Sequence, residues 1–170
     1  LGNGSSSSKP TSNLSGWRGS MTDVEFARKG LSNNLAGIEL GKLAIQKGDS
    51  DLKQFGQKMV KDHGELNDQL KPLAEEVGVA SNGQLSAEDQ AMITMLEGKS
   101  GKQFNDAYIQ AVVTDHRKDM LDFGNEARIG KDPALKGAAE DGAQVVTEHL
   151  HMIEKIARTS HVAVPDSMSQ

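Results

Sequence analysis

Apolar side chains recur at steps of three and four residues along four long stretches of the chain, which is the spacing of amphipathic helices. Short links join the first stretch to the second and the third to the fourth, so each pair should form an antiparallel hairpin. A longer connection carries a short helix that starts at Ser86 and stops at Gly98. The pattern predicts an all-α fold, a ferritin-like four-helix bundle with one long crossover. The predicted long helices cover residues 23–47, 51–77, 102–129 and 132–158.

Polar residues at the predicted helix starts fit the known preferences for N-terminal caps. Thr22, followed three residues later by Glu25, has the pattern of a capping box for the first helix. Asp49 or Ser50 can cap the second helix, and Asp132 can cap the fourth.

The two ends of the chain lack the helical pattern. Residues 1–20 are rich in Gly and Ser and bury too little apolar surface to order themselves, so we predict a disordered linker or a segment left by cloning. Residues 21–158 form the predicted bundle domain, and residues 159–170 a loose tail. No signal peptide is visible, because the N-terminus lacks a basic stretch followed by an apolar one.

Composition and charge exclude several classes of function. The 170 residues carry a formal net charge of −5, whereas nucleic-acid-binding domains usually present a basic surface. The apolar runs fall far short of the roughly 20 residues that span a bilayer. The chain has no cysteine, so disulfides, thiolate nucleophiles and Cys-based zinc sites are excluded. We therefore predict no nucleic-acid partner and no transmembrane segment.

Three histidines lie near the middle of a predicted helix and in phase with its apolar stripe, namely His63, His116 and His149. Because mid-helix positions of antiparallel helices meet at one level, the three imidazoles should converge inside the bundle. Glu39, near the middle of the first helix, can join them. Imidazole and carboxylate ligands from different helices suit a divalent metal, for which we consider Zn²⁺ or Fe²⁺.

An aspartate directly precedes two of these histidines, as Asp62-His63 and Asp115-His116. Neighbouring residues on a helix point about 100° apart, so an inward histidine leaves its aspartate at the edge of the core. There the carboxylate can accept a proton from an imidazole of another helix and set its tautomer, as carboxylates around metal sites do. The alternative is a pair of solvated flank residues.

Methionines stand beside the same three histidines in sequence, as Met59, Met120 and Met152. Thioether and imidazole together suit copper, particularly Cu(I). Methionine at these spacings is also an ordinary core residue, so copper is the less favoured metal. The alternative to any metal is that the histidines are hydrogen-bonded core residues.

The order of several short segments resembles the DUF4142 family, a group of bacterial exported proteins of unknown function. The resemblance runs from Phe26 to about Ala157 and includes all four predicted long helices. The segments are Ile38-Glu39-Leu40-Gly41-Lys42-Leu43-Ala44, Phe55-Gly56-Gln57-Lys58-Met59-Val60-Lys61-Asp62-His63, Phe104-Asn105-Asp106-Ala107-Tyr108, Asp115-His116, Asp132-Pro133-Ala134-Leu135-Lys136 and His149-Leu150.

The resemblance implies a ferritin-like bundle in a periplasmic or outer-membrane-associated setting, and it implies no established reaction. It adds Tyr108 to the two aspartates as an expected partner of the metal ligands. The chain departs from the family pattern at Gly37, where an acidic residue often stands, and this weakens the expected site if that carboxylate is a ligand. The positions that match recurrent motif residues are Glu39, His63, Tyr108, His116 and His149.

Three functions remain open at this point. The first is a metal-binding or stress-related bundle of the bacterial envelope. The second is a structural or interaction protein whose buried polar residues only specify the bundle, with a second copy or another envelope protein as partner. The third is an enzyme in which a metal-bound water or Tyr108 reacts. The family usually begins with a secretion signal, which the residues before Met21 are expected to replace.

Overall fold

The computed structural model describes residues 20–165, which form five α-helices and no strand. Each predicted helix is present, with ends within about two residues of those predicted, and the all-α prediction is confirmed. Within the described range every helix is too short or too polar to cross a membrane. The predictions for residues 1–19 and 166–170 lie outside the described residues. The helices are α1 (Met21–Lys47), α2 (Ser50–Glu76), α3 (Ala87–Glu97), α4 (Gly101–Ile129) and α5 (Pro133–Thr159).

The four long helices enclose one apolar core. Helix α1 packs against α2 and α4, and α5 packs against α4 and α2, while the short α3 lies against α1 and α4. The core is mostly aliphatic, as the low aromatic content requires. Some apolar residues of the long helices lie partly at the surface. Ile45 of α1 is 38% exposed, and Met120 of α4 is 37% exposed.

Helices α1 and α2 approach each other through two glycines. A Cβ atom added at Gly41 would lie 2.8 Å from the carbonyl oxygen of Gly56. A Cβ atom added at Gly56 would lie 2.5 Å from the carbonyl oxygen of Gly41. Larger residues would push the helices apart, so this contact holds the next turns of α1 directly against the middle of α2.

The first helix is capped by Ser20, and the predicted cap at Thr22 is wrong. The Ser20 hydroxyl accepts from the Asp23 backbone N–H at 3.2 Å, and the Asp23 carboxylate accepts from the Ser20 N–H at 2.6 Å. Asp23 also accepts from the backbone N–H groups of Lys131 and Asp132, at 3.0 and 3.2 Å. These tertiary bonds to the α4–α5 link decide which capping box forms.

The other predicted caps are present. Asp49 caps α2 by accepting from the Leu52 N–H at 3.0 Å. Asp132 caps α5 by accepting from the Leu135 N–H at 2.9 Å. Ser86 caps α3 in the same way.

The beginning of the predicted C-terminal tail contacts α4. The Gln110 side-chain amide donates to the carbonyl oxygen of Ala163 at 3.1 Å. Arg117 donates to the carbonyl oxygen of Pro165. Val162 and Val164 are partly buried against the core. Residues 162–165 therefore follow α4 in this structure.

A buried carboxyl near the start of α1 gives a pH-dependent prediction. Burial, the adjacent Asp23 carboxylate and Asp132 raise the pKa of Glu126 from 4.5 to about 8, although Lys136 opposes the shift. The folded protein therefore keeps a proton on Glu126 that the unfolded chain releases, so wild-type stability should fall as pH rises from about 4.5 through about 8. Gln at this position carries no charge at any pH and should remove that loss.

The measurement is urea unfolding of wild type and Glu126→Gln at pH 5, 7 and 9. The stability of Glu126→Gln relative to wild type should grow with pH, on the order of 1–3 kcal/mol by pH 9. The exposed Glu140→Gln, on α5, is the control and should follow wild type. Parallel pH profiles for Glu126→Gln and wild type would contradict the prediction.

Candidate metal site

Three histidine rings meet in the core of the protein. His63 comes from α2, His116 from α4 and His149 from α5, and each is 0% exposed. Their ring centroids are 5.0 to 5.5 Å apart. One ring nitrogen from each histidine lies within 4.8 Å of the other two, so the three nitrogens can share one ion.

The closest pair of nitrogens has a spacing that suits a common metal. His116 Nε2 and His149 Nδ1 are 3.2 Å apart. Two nitrogens on one tetrahedral Zn²⁺, each at about 2.0 Å, lie about 3.3 Å from each other. The same spacing fits a hydrogen bond between the rings, so this distance alone does not separate the two cases.

In two of the rings, one nitrogen is hydrogen-bonded to a polar side chain. Nδ1 of His63 donates to the Asn34 side-chain oxygen at 3.1 Å, which leaves the His63 Nε2 as an acceptor. That Nε2 is buried and has no hydrogen-bond partner among the described residues. Nε2 of His149 donates to Asp62 at 2.8 Å, which leaves Nδ1 of His149 as an acceptor. His63 therefore has a free lone pair at Nε2, and the Nδ1 lone pair of His149 faces Nε2 of His116.

The third ring, that of His116, has a more distant polar neighbour. Nδ1 of His116 lies 3.4 Å from the Asp115 Oδ2, which is too long for a good hydrogen bond. Asp62 therefore approaches His149 on another helix, whereas Asp115 approaches the ring next to it in sequence.

The Asp62 carboxylate connects the group to the surface. Its Oδ2 lies 2.9 Å from Lys58 Nζ, which lies 3.1 Å from Glu148. Burial acts to raise the pKa of Asp62, but hydrogen bonds from His149 and Lys58 outweigh it and leave that pKa below its ordinary value. Asp62 is therefore ionised at neutral pH and can fix the orientation and tautomer of His149.

Two of the three imidazoles, those of His63 and His149, are held neutral, which metal binding requires. Burial lowers the pKa of His63 well below its ordinary value, and His116 and His149 lower it further. Burial and then His116 lower the pKa of His149 to about 4, although Asp62 acts to raise it. At pH 7 both rings therefore keep an unprotonated nitrogen.

Glu39, the fourth ligand predicted from the sequence, lies outside the three-histidine group. Its carboxylate pairs with Lys42 at 3.2 Å, and its side chain is 37% exposed. Helix α1 meets His63 through Asn34 and Gly37 instead. Because two residues span about 200° of a helix, Glu39 points away from the face that Gly37 presents.

Tyr108 is also placed away from the histidines. It is fully buried, and its hydroxyl donates to the carbonyl oxygen of Leu40 at 2.9 Å. It lies two helical turns before His116 on α4, and its ring packs on Phe55 and Phe104. Its observed partner is the backbone of α1, so the expectation that it supports a metal ligand is not met.

The side chains expected for other metal chemistries differ in burial. Of the three methionines that suggested copper, Met59 is 0% exposed, Met152 is partly buried and Met120 is 37% exposed. The chain carries one Glu-x-x-His pair, Glu148 and His151, where di-iron bundles carry two that project inward. Glu148 has 59% of its side chain exposed, and His151 is exposed.

Two residues at the site were missed from the sequence, Asn34 and Asp119. Asp119 is 0% exposed and lies with Asp115 and His116 in a second group of ligand atoms within 4.8 Å. Burial, with the nearby Asp115, raises the pKa of Asp119 well above its ordinary value. The signal was available, because Asn34 follows Leu31 by three and Asp119 follows His116 by three, each in phase with an apolar stripe.

Gly37, the position where the chain departs from the family pattern, lies directly against the site. A Cβ atom added there would lie 2.4 Å from Cδ2 and 2.7 Å from Nε2 of His63. We expect Gly37→Ala to displace the ring and to destabilise the metal-free protein by about 1–3 kcal/mol. Thermal or urea unfolding measures the loss, and Gly64→Ala, where an added Cβ meets nothing within 4 Å, is the control. Equal stability of the two variants would contradict the close contact.

Comparisons with known proteins agree with an all-helical domain. The profile of the domain of unknown function DUF4142 matches residues 8–156, and the chain belongs to that family. The matched range begins at residue 8, inside the segment 1–20 for which the sequence pattern predicts no helix.

A solved structure shares the fold. The crystal structure of a DUF305 fragment from Deinococcus radiodurans is similar with a TM-score of 0.73 and 11% sequence identity, over 83% of this chain and 98% of that one. At 11% identity the likeness shows the fold alone. A comparison with curated proteins finds no match.

Proposed function

We propose that this protein binds one divalent transition metal, Zn²⁺ or Fe²⁺, through His63, His116 and His149. The observation that supports the proposal is the convergence of three buried ring nitrogens within 4.8 Å. The bonds that Asn34 and Asp62 make to two of the rings support it further, because outer partners of this kind orient metal-binding imidazoles.

The donor set favours Zn²⁺ or Fe²⁺ over harder and softer cations. Imidazole suits Zn, Fe, Cu and Ni, whereas Mg²⁺ and Ca²⁺ prefer oxygen ligands. Three protein nitrogens leave a fourth position on a tetrahedral Zn²⁺ for a water or another small ligand. Copper remains the less favoured metal, because the buried Met59 is part of the apolar core and Met120 is 37% exposed.

A buried polar network without metal is the second candidate. It is favoured by the hydrogen-bonding distances from His116 to His149 and from His149 to Asp62, which connect α4, α5 and α2. Nε2 of His63 argues against it, since this buried acceptor has no partner in residues 20–165. An unpaired buried acceptor costs about 1–3 kcal/mol, and a metal would remove that cost.

The architecture and the setting belong to the same proposal. Two helical hairpins joined by a long connection with its own short helix support a ferritin-like bundle. We place the protein in the bacterial envelope, as the family resemblance implies. Fractionation of cells that express the gene with its native upstream sequence tests the setting, and recovery in the cytoplasm alone would contradict it.

Metal analysis of protein purified without a nickel column tests the proposed function. Wild type should retain at least about one Zn or Fe per chain after desalting, or acquire it on incubation with that ion. A His63→Ala, His116→Ala double variant should lose the metal. The matched control is His151→Ala, His161→Ala, which removes two exposed histidines and should retain it.

Two results would contradict the proposal. One is wild type that stays metal-free after incubation with Zn²⁺ and with Fe²⁺. The other is equal metal content in the two double variants, because the bound metal would then lie elsewhere.

A further inference from the structure

A second group of ligand atoms lies on the opposite side of the His116 ring. One oxygen each from Asp115 and Asp119 and one nitrogen of His116 lie within 4.8 Å of one another. All three residues come from α4 and are buried. Asp119 follows Asp115 by four residues and His116 by three, and Asp115 and His116 are neighbours. One turn of helix therefore presents all three side chains together.

The atoms of this second group lack partners. Oδ2 of Asp115, Nδ1 of His116 and both carboxylate oxygens of Asp119 are buried and make no hydrogen bond to any described residue. Asp119 is 0% exposed, so water at the surface does not satisfy it. A proton on Asp119 would satisfy one of these atoms, whereas a cation placed between the three residues would satisfy one atom of each.

Each nitrogen of the His116 ring faces an acceptor. Its Nε2 faces Nδ1 of His149, which is an acceptor because the other nitrogen of His149 donates to Asp62. Its Nδ1 faces Oδ2 of Asp115 at 3.4 Å. A ring with one N–H can donate to only one of these two acceptors. A metal at Nε2 would place the ring N–H at Nδ1, facing Asp115, and both carboxylate oxygens of Asp119 would still lack a partner.

A cavity gives this side of α4 an entrance. It has a volume of about 630 Å³ and lies between α3 and α4, with Asp115 in its wall. Glu88 and Asp89 of α3 line it as well, and one oxygen of Asp89 is buried without a hydrogen bond. Lys99 and Lys118 also line the cavity, and Lys118 lies 3.7 Å from Asp89. The three carboxylates outnumber the two lysines in this lining, which favours entry of a cation.

We propose that Asp115, Asp119 and Nδ1 of His116 form a second site for a divalent transition cation. Two carboxylates and one imidazole suit Zn²⁺, Fe²⁺ or Mn²⁺. Together with the proposed function, on which this part rests, His116 bridges two cations through its two nitrogens. Binding of the second cation then releases the remaining ring proton of His116 to solvent.

Calorimetric titration of Zn²⁺ into the metal-free full chain tests the second site. Wild type should bind one more equivalent than Asp119→Asn, which keeps the volume and removes the charged ligand. Asp106→Asn, in the same helix with 37% of its side chain exposed, is the control and should match wild type. If Asp119→Asn does not fold, Asp115→Asn serves in its place.

A His63→Gln variant separates the two proposals. It should lose one equivalent and keep the site that Asp119→Asn removes. Equal stoichiometry in wild type and Asp119→Asn overturns the second site, whatever His63→Gln does. Loss of an equivalent in Asp119→Asn with no loss in His63→Gln supports the second site and contradicts the three-histidine site.

Discussion

Adding Zn²⁺ to the metal-free protein at 100 times its dissociation constant should raise the free energy of unfolding by about 2.7 kcal/mol. For a domain of this size that gain corresponds to a rise in melting temperature of about 5–10 °C. The reason is that the three nitrogens converge only in the folded chain, since His63, His116 and His149 come from three different helices. Calorimetry or circular dichroism with and without Zn²⁺ measures the rise.

The matched variants for this experiment lie two residues apart on α5. His149→Gln should remove the part of the Zn²⁺-dependent rise that comes from the three-histidine site, because His149 belongs to that buried group. His151→Gln changes an exposed imidazole on the same helix and should keep the full rise. The quantity compared is the shift on adding Zn²⁺, so a lower starting stability of His149→Gln does not affect the result. An equal rise in the two variants would contradict binding at the buried histidines.

Asp23→Ala should lose about 3–4 kcal/mol of stability, which is large for one substitution. The carboxylate is 0% exposed and accepts from the backbone N–H groups of Ser20, Lys131 and Asp132. Truncation removes the acceptor for three donors that belong to the start of α1 and the α4–α5 link. Each unpaired donor that stays away from water costs about 1–3 kcal/mol.

Urea unfolding of three variants at pH 7 tests the role of Asp23. Asp23→Asn keeps the volume and one acceptor oxygen, so it should lose less than Asp23→Ala. Asp51→Ala, in the first turn of α2, removes an exposed carboxylate and should change stability by about 0.5 kcal/mol or less. A loss below about 1 kcal/mol in Asp23→Ala would show that its tertiary bonds do not hold the two segments together.

The helices were predictable because their signals are local. Apolar periodicity and glycine stops placed every helix end within about two residues. The cap of α1 was not predictable, because two capping boxes overlap in sequence and the choice depends on Lys131 and Asp132. Those residues are more than a hundred positions away in the chain.

The candidate site was predictable where a residue's phase on its helix decides its position. His63, His116 and His149 converge because each lies in its apolar stripe at mid-helix. Glu39 was predicted from its position along the length of α1 alone. Its angular position around the helix places its side chain near Lys42 at the surface. The contact of Gly37 with His63 depends on the distance between two helices, which no spacing within one helix reveals.

Anomalous diffraction at the zinc absorption edge, from crystals of the full chain grown with Zn²⁺, is the sharpest test of metal binding by the three histidines. A peak is expected between the three rings, about 2.0–2.1 Å from Nε2 of His63, Nε2 of His116 and Nδ1 of His149. A Zn²⁺ peak found only at exposed residues such as His151, with the three rings held by hydrogen bonds alone, would contradict it.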